Sequence, residues 1–373
     1  MPYERLKGLE VNELSNSRLR TGIIFSECFF LHRTGRNHPE SPARLRAIMR
    51  GINRLNLLKN KRCVLVKPRI AKLDELEMVH SPRYIRAVRK FCSSGGGILD
   101  EETGTSVSPE SYTVARLAAG GAIRAVDMVM EGKIRNAFVI SRPPGHHASH
   151  ASASGFCIFN NIALAAKRLI DRFSLSRILI LDIDVHHGNG TQEIFYNTDE
   201  VLYISLHEDP SEFPRSGFID EVGNKKGKGY TVNIPLPFGT SDPAYWKALK
   251  FIVIPIALCY KPEFILISAG FDGYFRDPIG ELLLSASLYL KVFQVVIDLA
   301  RRLSGDRLVA ILEGGYCPSF LKSIIPAILF RMMGIEAMVR DRRPRFSITV
   351  HKIAEKIIRR VKETQSRFWN LTL

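Results

Sequence analysis

The chain has 373 residues, 46% of them hydrophobic and 24% charged, with 53 lysines and arginines against 37 aspartates and glutamates, a formal net charge of +16. Those proportions exclude disordered, fibrous and low-complexity classes and describe a packed globular protein. No apolar run reaches the roughly 18 uncharged residues of a membrane-spanning helix, and the first twenty residues lack a hydrophobic signal core, so a cytoplasmic protein is expected, nuclear only in a eukaryotic source.

The charge is unevenly placed. Residues 1–70 hold 15 basic and 5 acidic side chains, residues 331–373 hold 11 and 4, and the long middle is near neutral. Basic ends thus flank a neutral body, which raises the expectation of a weak association with DNA or an acidic partner through them. Six cysteines with no CxxC spacing are expected to be reduced thiols.

In chain order, TGIIFS (21–26) reads as a strand, and the rest of the first hundred residues as mainly helical. In SPARLRAIMRGINRL, Ser41 is a candidate N-cap and Pro42 the first helical residue, and SPRYIRAVRKFC (81–92) repeats that start. From about residue 110, apolar runs alternate with helical patterns. The runs are AFVIS (137–141), RILILDID (177–184), VLYISLH (201–207), FILISAG (264–270) and LVAILEGG (308–315). Helical stretches lie near 160–172, 243–260 and 285–303, with a helix start near Thr191. Runs without polar alternation are strands buried on both faces. The expected fold class is α/β, a central parallel sheet with helices on both faces, in a single domain spanning 1–373. A tail helix over about 349–368, with Val350, Ile353, Ile357 and Val361 at helical spacing, is expected to pack on the body.

Four of the runs end in polar clusters: RPPGHH, DIDVHHGNG, AGFDG and EGGY. In open α/β sheets ligands bind beyond the carboxyl ends of the strands, so the four clusters point to one site. Asp184 and His186 offer oxygen and nitrogen to a divalent metal, and Asp272 is the natural third ligand. Two carboxylates and one imidazole leave an open position, as catalytic zinc sites do. His146 and His147 need orienting partners, and Asp182 and Asn189 are available. An imidazole against aspartate is more basic than one against asparagine, which suits a division between positive stabiliser and general base. Tyr316, after Gly314-Gly315, is placed to donate to an oxyanion.

Together HPESPARL (38–45), RPPGHHA (142–148), GFCIFNN (155–161), DIDVHHGNG (182–190), ISLH (204–207), GFDGYFRDP (270–278) and EGGY (313–316) resemble the zinc-dependent histone deacetylases in order and spacing. Asn189 within HHGNG resembles the class II branch and its bacterial and archaeal amidohydrolase relatives. The resemblance implies the arginase/deacetylase fold, with catalytic motifs over 38–316, and removal of acetyl or other short acyl groups from lysine side chains. It implies zinc on Asp184, His186 and Asp272, His147 as general base, His146 with Asp182 as electrostatic partner, and Tyr316 on the acyl carbonyl. Gly155, Phe156, Phe213, Ile279 and Gly315 would bind substrate, Phe156 and Phe213 as walls of an apolar channel. Arg44 would serve the inner acetate-exit region. A structural potassium ion would be held by Asp182 and by backbone oxygens at Asp182, Asp184, His186, Ser205 and Leu206.

Ile279 stands where polyamine-preferring relatives have glutamate, so no counter-charge meets a second amine. LDEETGTSVSP departs from the family's substrate-gripping aspartate: Asp100 or Glu102 replaces it, or Gly104 occupies its place. Arg215 and Arg276 stand where glycine is usual and bring positive charge to the rim. The alternatives are an acetylpolyamine or small-amide deacetylase and a non-enzymatic chromatin-associated protein. A two-manganese ureohydrolase would want an aspartate where Gly188 stands.

Overall fold

The apolar runs form strands, and most are buried on both faces. The computed structural model describes residues 20–342 and 344–371; most of the segment read for a signal core (1–19), and Arg343 of the basic tail, lie outside the described residues. The strands are β1 (Thr21–Ile24), β2 (Cys63–Val66), β3 (Gly97–Asp100), β4 (Thr105–Val107), β5 (Asn136–Val139), β6 (Ile178–Asp182), β7 (Val201–Glu208), β8 (Thr231–Leu236), β9 (Phe264–Ala269) and β10 (Leu308–Leu312). Eight of them make a parallel sheet in the order β2-β1-β5-β10-β9-β6-β7-β8, and β3 and β4 pair as a separate antiparallel hairpin. Successive side chains enter opposite cores: Leu179 and Leu181 join one apolar cluster, Ile178 and Ile180 the other. With helices over both faces there is no solvent side to require polar alternation. The fold is the α/β arrangement expected.

Four strands escaped the sequence reading: β2 and β8 of the parallel sheet, and both strands of the short β3–β4 hairpin. β2 lies in the stretch read as helical; its four residues are too few to show a period. β8 contains Asn233 and Pro235, which break the apolar run. Pro235 is tolerated because β8 is the sheet edge. The helix after β1 spans Ala43–Arg54 with Pro42, not Ser41, at its cap and no side-chain cap bond. Ser81 does cap Pro82–Ser93, accepting the Tyr84 N–H. The segment read as one helix over 243–260 is Asp242–Ala248 and Ile254–Tyr260 joined by a π turn, Leu249–Val253. That wider turn precedes Pro255, which has no N–H to offer.

The tail helix is Ile348–Gln365, capped by Ser347. It buries Ala354, Ile358, Val361 and Gln365, while Ile353 is 44% exposed. Its inward stripe is therefore rotated from the one expected. Gln365 donates to the Thr231 carbonyl at 3.2 Å, so the helix covers the open edge at β8. All six cysteines are free thiols. Among the described residues no helix is long and apolar enough to cross a membrane.

Candidate active site

The four polar clusters follow β5, β6, β9 and β10, which are the four central strands and are contiguous in the order β5-β10-β9-β6. Each strand ends beside its neighbour, so residues distant in sequence meet at one end of the sheet.

Asp184, His186 and Asp272 each present one ligand atom, and these atoms lie within 4.8 Å of one another. His186 Nδ1 is 3.4 Å from Asp184 Oδ1 and 3.7 Å from Asp272 Oδ2. Backbone amides fix the other carboxylate oxygens: Gly314 N–H donates to Asp184 Oδ2 at 2.8 Å and Val185 N–H to Asp272 Oδ1 at 3.0 Å. Asp272 Oδ2 is buried with no hydrogen-bond partner. An orphaned buried carboxylate oxygen is costly, and a cation among these three groups would satisfy it. The donor set therefore fits a divalent ion such as zinc. Burial opposes charge on Asp184, but His146 and His186 hold it well below the usual carboxylate range. Burial and the neighbouring Asp184 charge push Asp272 up.

His146 and His147 follow Gly145 on the loop after β5. Glu313 Oε2 accepts the N–H groups of both Gly145 and His146, at 2.6 and 3.2 Å, which ties this loop to the end of β10. His146 Nδ1 donates to Asp182 Oδ2 at 3.1 Å, and His147 Nδ1 to Asn189 Oδ1 at 2.8 Å. Burial disfavours a charged His146, but the carboxylates of Asp184 and Asp182 overcome it and raise the group to about 10. Burial and the neighbouring cationic His146 hold His147 well below 6.5. With its proton directed at Asn189, His147 keeps a free lone pair on Nε2.

Tyr316 stands after β10. Its amide donates to Asp277 Oδ2 at 2.6 Å, and the Arg44 guanidinium lies 4.8 Å over its ring. Burial pushes the phenol well above 10, so it remains a proton donor at neutral pH. Arg44 is itself buried, with Nε on the Gly315 carbonyl at 2.6 Å, a further bond to the Glu313 carbonyl, and Glu40 behind it. It therefore braces the turn that carries the phenol.

A cavity of about 340 Å³ opens above these groups, lined by Gly155, Phe156, Phe213, Ile279 and Tyr316 among others. Phe213 stands 4.9 Å from the His147 ring and Phe156 5.9 Å from the Tyr316 ring. Gly155 is required there: a Cβ would lie 2.1 Å from His147 Cδ2. Gly315, at φ +109°, likewise has no room against Phe271. Glu102 and Arg215 form an exposed ion pair, 3.7 Å apart, at the mouth. Asp100 does not line the cavity, and Arg276 lies over the Phe275 ring, away from the lining. Ser205 is in register with Asp182 across β6 and β7, with Leu206 next along β7, and Ser205 Oγ bonds to His207 Nδ1.

Sequence reasoning passed over four residues that build this site. Tyr203 donates to Asp182 Oδ2 at 3.1 Å, and Glu208 Oε1 is 3.9 Å from His186 Nε2. Glu313 and Asp277 hold the two catalytic loops. Glu313 directly follows its strand inside EGGY, a position that could have flagged it; Tyr203 carries no such signal inside an apolar strand.

A family model for the histone deacetylase domain matches residues 38–332. The chain is similar to a probable deacetylase of Archaeoglobus fulgidus, 43% identical over 85% of each chain. It is also similar to a polyamine deacetylase of Mus musculus, 36% identical over 88% of this chain and 49% of that one. Among solved structures it is similar to the crystal structure of an HDA15 HD domain, with a TM-score of 0.84, 34% identity, and coverage of 94% of this chain and 96% of that one.

Proposed function

The chain belongs to the histone deacetylase family, and from that premise we propose that it is a zinc-dependent hydrolase removing acetyl or other short acyl groups from lysine side chains. The observation that carries the reading is the buried, unpartnered Asp272 Oδ2 facing His186 Nδ1, beneath an apolar-walled cavity that also holds a neutral imidazole and a protonated phenol.

Asp184, His186 and Asp272 would hold the ion. When bound, a divalent metal supplies Lewis acidity toward an amide carbonyl and lowers the pKa of water. Phe156 and Phe213 receive the aliphatic stem and exclude water from it. Nε2 of His147 takes the proton of the attacking water and passes it to the departing amine. His146, held cationic by the carboxylates of Asp184 and Asp182, stabilises negative charge as it develops. Tyr316 donates a hydrogen bond to the oxyanion.

Ile279 lines the cavity and gives a second amine no counter-charge, which favours acyl-lysine over an acetylpolyamine. The test is release of acetate from an acetyl-lysine peptide, run beside a panel of acyl chains and acetylpolyamines. Activity should vanish with a hydroxamate chelator and return on adding zinc after metal removal, with metal analysis separating zinc from iron. No turnover of any acyl-lysine would sink the reading, and selective turnover of polyamines would replace it.

Lys352, Lys356, Arg359 and Arg360 are exposed on the tail helix and form the surface for a weak association with DNA or an acidic partner. DNA affinity that is unchanged after neutralising these four would count against it.

A further inference from the structure

One wall of the channel adopts a backbone conformation that its sequence does not favour. Gly155 has φ +54° and Phe156 φ +67°, and for phenylalanine the left-handed region is strained. Such a conformation persists only where the surroundings over-determine it. The wall touches the reacting groups: Gly155 abuts the His147 ring, and Phe156 stands edge-on to Tyr316. If it relaxed, the fit of a substrate stem would change.

The β3–β4 hairpin supplies the restraint. Gly155 N–H donates to Thr103 Oγ1 at 2.8 Å, and Phe156 N–H donates to Thr105 Oγ1 at 3.0 Å. A hydroxyl has one proton, and it accepts well from an amide when that proton points elsewhere. Asp100 draws both protons: the Thr103 hydroxyl donates to its Oδ2, and the Thr105 hydroxyl lies 3.4 Å from the same oxygen and 3.2 Å from Thr103 Oγ1, so its proton is directed to the carboxylate or to the hydroxyl bound to it. Its Oδ1 accepts the Glu102 N–H at 3.3 Å. The carboxylate is thus consumed inside the hairpin and does not face the substrate. Gly104 turns the chain between the two threonines at φ +70°.

The geometry points to Asp100 as a positioning residue that acts through the Thr103 and Thr105 hydroxyls to hold the Gly155–Phe156 wall, and so sets how the channel fits an acyl-lysine stem. The inference rests on the lysine-deacylase reading. Charge on Asp100 orients two hydroxyls, the hydroxyls anchor two amides, and the amides fix a strained wall beside the base.

The experiment compares kcat/KM for acetyl-lysine and acetyl-ornithine peptides, whose stems differ by one methylene. Asp100→Ala should raise KM for acetyl-lysine about tenfold, change kcat by less than about threefold, and cut the lysine-to-ornithine preference about fivefold. Thr105→Val should reproduce the effect, and Thr105→Ser, which keeps the hydroxyl, should retain the original preference. An unchanged preference in Asp100→Ala and Thr105→Val, or a serine variant as impaired as the valine one, would overturn the proposal. If Asp100→Ala does not fold, the Thr105 pair decides alone. If the unaltered enzyme turns over no acyl-lysine, the deacylase reading fails. The clamp is then read by calorimetry, from binding of a linear aliphatic hydroxamate to the metal-loaded protein. Thr105→Val should bind about tenfold more weakly than Thr105→Ser, and equal affinities would refute it.

Discussion

His146 and His147 are adjacent in sequence, equally buried, and opposite in preferred charge. Their surroundings differ: His146 has the Asp182 carboxylate on Nδ1 and Asp184 3.8 Å from Nε2, whereas His147 has a neutral amide on Nδ1. Burial together with the neighbouring cationic His146 keeps His147 unprotonated to well below 6.5. A base with a depressed pKa keeps its lone pair until pH falls through that lowered value. The acid limb of the kcat/KM profile is therefore expected to have its midpoint below pH 6.5, and a midpoint above 7 would contradict the assignment. Tyr316→Phe removes the donor but not the ring. It is expected to lower kcat by about 10²- to 10³-fold with metal content unchanged, checked by steady-state kinetics alongside metal analysis. These residues were readable because each stands in a polar cluster that interrupts an apolar run. Tyr203 and Glu208 were not, since one lies inside a strand and the other matters only for its distance from His186.

Elements were legible where their period was long enough to count. The runs that became β5, β6, β7, β9 and β10 needed no tertiary information, because a strand covered on both faces is apolar throughout. The four-residue β2 and the proline-bearing β8 lacked that signal. The tail helix shows a different limit. Its amphipathic pattern was plain, but Val350, Ile353, Ile357 and Val361 compete with Ala354, Ile358 and Val361 as the inward stripe. The helix turns the second set inward because Gln365 must reach the Thr231 carbonyl at the sheet edge. Val361→Ala is accordingly expected to cost about 1–2 kcal/mol in chemical denaturation. Ile353→Ala should stay within about 0.5 kcal/mol, as exposed positions do.

Across the whole molecule, Glu40 joins the first helical segment to the central sheet. It is fully buried, accepts from Arg142 Nε and Nη2 at 2.5 and 2.6 Å, and is paired with Arg44 and His32. Burial alone would raise its pKa, but the Arg142 guanidinium and His32 hold it well below the usual carboxylate value of 4.5. A carboxyl group with a depressed folded-state pKa adds stability that is fully present above its unfolded pKa and is lost as pH falls through the folded one. Glu40→Gln should therefore cost about 3–5 kcal/mol near neutral pH, the scale of a buried pair losing one partner. The deficit should narrow below about pH 4.5, as urea denaturation across pH would show; a gap that widens in acid would refute it. Arg44 carries this network on to the Gly315 carbonyl beneath Tyr316, so the first helical segment supports the far end of the site. By itself the sequence determined six of the eight strands of the central sheet, which side chains are candidates for metal and proton-transfer chemistry, and which family the motifs resemble, because those signals are local in period and composition. Tertiary structure alone decided that β5, β10, β9 and β6 lie side by side, that the tail helix turns a particular stripe to the sheet edge, and that Asp100 is spent on threonine hydroxyls and does not face substrate. Each of these depends on a contact between segments far apart in the chain, and no local pattern encodes which distant group will be there to meet it.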